Sequence, residues 1–150
     1  MKKTVIAIAL FVFVTGLAVV AHADLESFLS SVNVQARADM NGFSIRLGAQ
    51  FGVPVPQVQA ILRTVESPAD AFMCLQLGQM THKQPEVVMA TYTSHKGKGW
   101  GVIAKELGIK PGSAEFHALK RGDFVLSGAP GGGSDDRQAK GAGKGKGHNK

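Results

Sequence analysis

The chain has 150 residues, 44% hydrophobic and 19% charged, a balance that supplies one core and excludes a wholly disordered chain. Its single cysteine, Cys74, excludes an intrachain disulfide and a cysteine-based zinc site, so folding must rest on the core alone. The formal charge of +6 is uneven: residues 24–95 carry four basic and six acidic side chains, residues 96–121 six basic and two acidic, a bias that suits an anionic partner.

Lys2 and Lys3 precede an uncharged run from Thr4 to Val20, and Ala21-His22-Ala23 offers small residues at both positions of an A-x-A cleavage site. The pattern predicts a secretory signal peptide over residues 1–23, cut after Ala23, and hence a periplasmic or secreted protein beginning at Asp24. An uncleaved anchor is the alternative, although 17 apolar residues are at the short limit for a membrane span. From Gly128 to Lys150 no Leu, Ile, Val or Phe occurs and eight of 23 residues are glycine, so a disordered tail is expected. A helical domain is left over residues 24–127.

Within it the apolar period is helical. Asp24–Leu29 reads as a short first helix. Asn41 is the expected N-cap of a second, running to Phe51 and ended by Gly52. Val58, Ile61, Leu62 and Val65 form one stripe at helical spacing. Ser67-Pro68-Ala69-Asp70 combines an N-cap, a proline at the first helical position and an acid at the third, opening a helix with Phe72, Cys74, Leu75 and Met80. Pro85-Glu86 opens the next, with Val88, Thr91, Tyr92 and His95 on one face; Gly97-Lys98-Gly99 breaks it. Trp100, Ile103, Ala104 and Leu107 give another stripe closed by Gly108, and Ser113 leads into a last helix with Phe116 and Leu119 that ends near Gly122. Leu47–Ile61, Met73–Ala90 and Ile103–Leu119 look alike, each with an apolar helix end and a glycine, Gly52, Gly78 or Gly108, before a proline-containing connection. The expectation is an all-α fold of five to seven short helices arranged as successive αα-hairpins, with Cys74 a small hydrophobe in the core.

Catalysis needs a tuned nucleophile, acid or base. His82, His95, His117 and His148 include no pair at i, i+4 on one helix and no H-E-x-x-H motif, and no pattern calls for a metal or cofactor. Glu106 and Glu115 flank the Gly108–Ser113 turn, and a hydrolase of the two-carboxylate type is a distant alternative. Gly97-Lys98-Gly99-Trp100-Gly101 lacks the spacing and preceding strand of a phosphate loop.

Binding is the stronger reading. Lys96, Lys98, Trp100, Lys105 and Lys110 are the candidate contacts in the domain, and Lys140, Lys144, Lys146 and Lys150 make the glycine-interleaved tail a flexible polycation. Trp100–Arg121 also has the form of a helix-turn-helix, so an exported nucleic-acid-binding protein is a second reading, with phosphate contacts supplying the affinity.

The segment GKGWGVIAKELGIKPGSAEFHALKRGDF, residues 97–124, with Phe51–Leu75 before it, resembles a group of small uncharacterised exported helical proteins of Gram-negative bacteria. The resemblance implies a periplasmic or secreted helical domain and carries no activity, cofactor or site. The sequence therefore points to a non-catalytic interaction module whose basic C-terminal half contacts an anionic envelope component: a lipid headgroup, a polysaccharide or a protein.

Overall fold

A computed structural model describes residues 20–128, with side chains of the first helix from Leu25 onward. The expected leader lies outside the described residues as far as residue 19, and Lys140, Lys144, Lys146, His148 and Lys150 lie outside them altogether. Seven helices and no strands are present among the described residues: α1 Val20–Ala38, α2 Met40–Phe51, α3 Val55–Thr64, α4 Pro68–Thr81, α5 Pro85–Ser94, α6 Trp100–Glu106 and α7 Ala114–Arg121. The all-α expectation holds. None of these helices is long and apolar enough to cross a membrane.

The helix that organises the rest is α4. Ala69, Ala71, Phe72, Met73, Cys74, Leu75, Leu77 and Gly78 are all buried, so it is apolar on every side and must be surrounded. It pairs with α5, as α2 does with α3 and α6 with α7, giving the three expected hairpins. α1 belongs to none of them and packs instead along α7, α4 and α2. Here the structure corrects the sequence reading. The first helix is 19 residues long rather than a single turn or two at Asp24–Leu29. Leu25, Phe28, Leu29, Val32 and Ala36 continue one stripe through the polar stretch, with Val32 and Ala36 fully buried. Its C-terminal neighbour is likewise shifted. Asp39, not Asn41, caps α2, its Oδ1 accepting from the Gly42 N–H at 2.8 Å.

The start of α4 is fixed from two directions. Ser67 and Asp70 form a reciprocal capping box, and Asn33 of α1 accepts from the Ala69 N–H at 2.9 Å. After α7 the chain returns across the molecule. The Gln50 amide donates to the Val125 carbonyl at 2.9 Å and accepts from the Ser127 N–H at 2.8 Å, while Leu126 is buried and Phe124 joins the core.

The likeness among the three hairpins is real in register but not in the register the glycines gave. α4 runs through Met80, as expected, to Thr81, so Gly78 lies inside it and His82 makes the left-handed turn at φ 54°. The equivalents of Gly52 are thus His82 and Gly108, each followed by a residue whose N–H closes the helix end on a carbonyl five positions back. These bonds are Val53 to Gly48 at 3.0 Å, Lys83 to Gly78 at 3.0 Å and Ile109 to Ala104 at 2.9 Å. Leu47, Leu77 and Ile103 precede the accepting residue in each case and are buried.

Gly48 and Gly78 serve close approach, not turning. A Cβ on Gly48 would lie 2.8 Å from the Val53 carbonyl oxygen, a backbone atom that cannot step aside. Gly48→Val should therefore destabilise by about 2 kcal/mol, in the range of overpacked cores. The comparison is Gly52→Ala, where the strain at φ 66° costs about 1 kcal/mol. Urea midpoints in which Gly48→Val is the milder change would contradict the close approach.

Candidate functional site

The clearest gathering of chemistry lies where α1 meets α6 and α7. Leu25 and Leu29 of α1, Trp100 and Val102 of α6, and Phe116 and Leu119 of α7 line a groove of about 410 Å³. Leu25, Leu29, Trp100, Val102 and Phe116 are partly buried, and Leu119 alone is fully in the core. Tyr92 backs Trp100 in a stacked arrangement, 5.6 Å between ring centroids and 22° between planes, so the indole has a fixed wall behind it. Tyr92 is itself anchored, its hydroxyl donating to Asp70 Oδ2 at 3.2 Å and accepting from the Glu66 N–H at 3.3 Å.

Charge is confined to the rim. Lys98 sits in the loop before α6, Lys105 on α6 and Lys120 on α7, all exposed, against the single carboxylate of Glu26 on α1. Gly99, at φ 85°, turns the chain so that Lys98 and Trp100 both face the groove. Lys120 Nζ lies 5.5 Å from the Phe116 ring centroid, a cation held over the aromatic floor.

Of the five lysine and tryptophan candidates named from the domain sequence, Lys98, Trp100 and Lys105 come together here. Lys96 and Lys110 stand apart. The Lys96 ammonium pairs with Glu66 at 3.1 Å, both groups exposed, an interaction worth well under ~1 kcal/mol. Lys110 borders a separate cleft of about 310 Å³ with Met80, Ile109, Ser113 and Glu115. Lys120 is the contact that sequence reasoning missed as a binding residue. Its signal was present: it follows Phe116 by four residues and so shares that helix face.

The remaining candidates have local roles. His95 Nδ1 lies 3.0 Å from the Thr91 carbonyl oxygen, His82 occupies the left-handed turn, and His117 is exposed on α7. Among the described residues no group of three or more His, Cys, Asp or Glu side chains is placed to hold a metal ion. Glu106 and Glu115 are both exposed. Glu115 is held below the ordinary carboxyl range by hydrogen bonds from its own backbone N–H and from Ser113, so of the two roles in a glycosidase pair it suits the ionised carboxylate and not the acid. On α7, the element that a helix-turn-helix would lay in a groove of DNA, Arg121 is engaged by Asp123 at 2.6 Å and Phe116 and Leu119 face the protein groove.

A larger cleft, about 560 Å³, lies among Met40, Ser44, Leu62, Arg63, Glu66 and Pro68. Volume favours it, yet its two charges are of opposite sign and Glu66 is already paired with Lys96. The smaller groove is the one that joins an aromatic floor to a rim with a net positive charge, three lysines against Glu26, a few placed charges around an apolar surface. No protein-family model, curated protein or solved structure matches the chain.

Proposed function

We propose that this protein works outside the cytoplasm, in the periplasm or beyond, as a non-catalytic interaction module that contacts an anionic envelope component through the face carrying the α1–α6–α7 groove. The observation that supports it most is the convergence of Lys98, Lys105 and Lys120, from one loop and two helices, around a floor containing Trp100 and Phe116. Sequence neighbourhood does not explain that convergence, since Lys120 is brought in by the turn between α6 and α7. The signal-peptide pattern of residues 1–23 points in the same direction.

The test is co-sedimentation of the purified protein with washed Gram-negative envelope fragments. Three exposed charge contacts at ~0.5–1 kcal/mol each predict that Lys98→Gln/Lys105→Gln/Lys120→Gln binds roughly 10- to 100-fold more weakly, with binding of the parent protein declining as salt is added. Full binding by the triple variant would overturn the proposal. Uptake of duplex DNA with a steep salt dependence, and none of envelope fragments, would establish the nucleic-acid reading in its place.

A further inference from the structure

The groove's own chemistry narrows the partner further, on the assumption that the groove is the binding face. We infer that it takes one acyl chain of an anionic amphiphile, a fatty-acid carboxylate, with the chain along the floor and the carboxylate at the lysine rim.

The floor decides the class. The side chains of Leu25, Leu29, Trp100, Val102, Phe116 and Leu119 offer one hydrogen-bonding group among them, the indole N–H. A polysaccharide would leave its hydroxyls unmatched on such a surface, and an acidic peptide its backbone N–H and C=O groups, each at a desolvation cost. An alkyl chain has no such groups and gains from every methylene removed from water. At about 410 Å³ the groove has the dimensions of a small-ligand site. Its apolar surface is recessed between helices, whereas docking on a bilayer needs apolar side chains that project.

The rim decides the head. Three ammonium groups on flexible stems face one carboxylate, Glu26, leaving a net charge of +2 at the mouth. Lysine stems cover apolar surface while their heads stay in water, so a chain lying on the floor brings its carboxylate to the height of the ammonium groups. A second copy of this chain would oppose two like-charged rims and is disfavoured on the same ground.

The probe is sodium dodecanoate below its micellar concentration, titrated into the intact protein and followed by the fluorescence of Trp100, the only tryptophan, and by calorimetry. Expected are saturable one-to-one binding and an affinity that rises about fourfold per added methylene, hence roughly 200-fold from octanoate to dodecanoate. Dodecyltrimethylammonium, the same chain with a cationic head, should not saturate the site. The Lys98→Gln/Lys105→Gln/Lys120→Gln variant, whose changes are on the surface, should keep its circular dichroism and bind dodecanoate roughly 10- to 100-fold more weakly. Absence of saturable dodecanoate binding, indifference to chain length, or equal binding of the cationic amphiphile would each overturn the inference. Binding to phosphatidylglycerol vesicles without binding of monomeric dodecanoate would overturn it in favour of surface docking. Failure with dodecanoate, alongside lysine-dependent binding to envelope fragments, would remove the fatty acid and leave the broader proposal standing. Dodecanoate binding with no lysine-dependent envelope binding would do the reverse.

Discussion

Phe72→Ala should remove most of this protein's stability. Phe72 is fully buried on α4, and its ring lies 5.2 Å from that of Phe28, 5.6 Å from Phe51 and 6.3 Å from Phe124. Phe28 and Phe124 also meet edge-on at 5.8 Å, so α1, α2, α4 and the returning C-terminal segment are joined through one aromatic cluster. Truncation to alanine loses the transfer energy of the ring and leaves a void that four separate elements would have to close together. Buried Phe→Ala changes cost about 3–5 kcal/mol, and the upper end applies where collapse is difficult. Against a total of about 5–15 kcal/mol for a domain, such a loss leaves little margin. Urea denaturation should show a much lower midpoint with an unchanged slope. A loss below about 1 kcal/mol would mean that the four rings do not form the packed centre described here.

That cluster marks the boundary of what the sequence disclosed. α2 through α7 were legible because stripes such as Val58, Ile61, Leu62 and Val65, and punctuation such as Ser67-Pro68, are local signals. α1 was underestimated because Ser30, Ser31, Asn33 and Gln35 interrupt the apolar run, and only the partners of Val32 and Ala36, far along the chain, make the stripe worth burying. The false equivalence of Gly78 with Gly52 has a similar cause. Glycine is the expected left-handed residue, so a histidine doing that work at position 82 is invisible to a search for glycine, and the likeness of the segments aligns Gly78 with Gly52 although the helix continues past it. The groove was half legible. Lys98, Trp100 and Lys105 are close in sequence, but Lys96, two residues before Lys98, lies outside the groove and meets Glu66, 30 residues earlier, a placement no local pattern contains. Lys120 needed the turn between α6 and α7 before it could be placed beside them.

Alkaline solution should unfold the protein through two groups that the core keeps protonated. Burial, and secondarily the Asp70 carboxylate, pushes the Cys74 thiol up from 9.0 to about 12. Burial is also the main cause at Tyr92, raised from 10.0 to about 12 with Asp70 assisting, while the hydrogen bond from the Glu66 backbone works the other way. Both groups are neutral when protonated. Through the window from 9.0 to about 12 the unfolded chain gives up protons that the folded chain retains, so stability is intact below that window and falls as pH rises through it. A displacement of three pH units in the thiol corresponds to a loss on the order of 4 kcal/mol, and the phenol adds a smaller share beginning at higher pH. Cys74→Ala should cost little at neutral pH beyond a small cavity, yet should flatten the first part of the decline; Tyr92→Phe should flatten the later part. Because Tyr92 is the only tyrosine and stacks on the only tryptophan, tyrosinate absorbance and Trp100 fluorescence report the same event at the back of the groove. The tyrosinate signal should appear late and together with unfolding. Its appearance near the ordinary 10.0 in a protein still folded would show that Tyr92 is not enclosed, and the wall behind Trp100 would then be open to water.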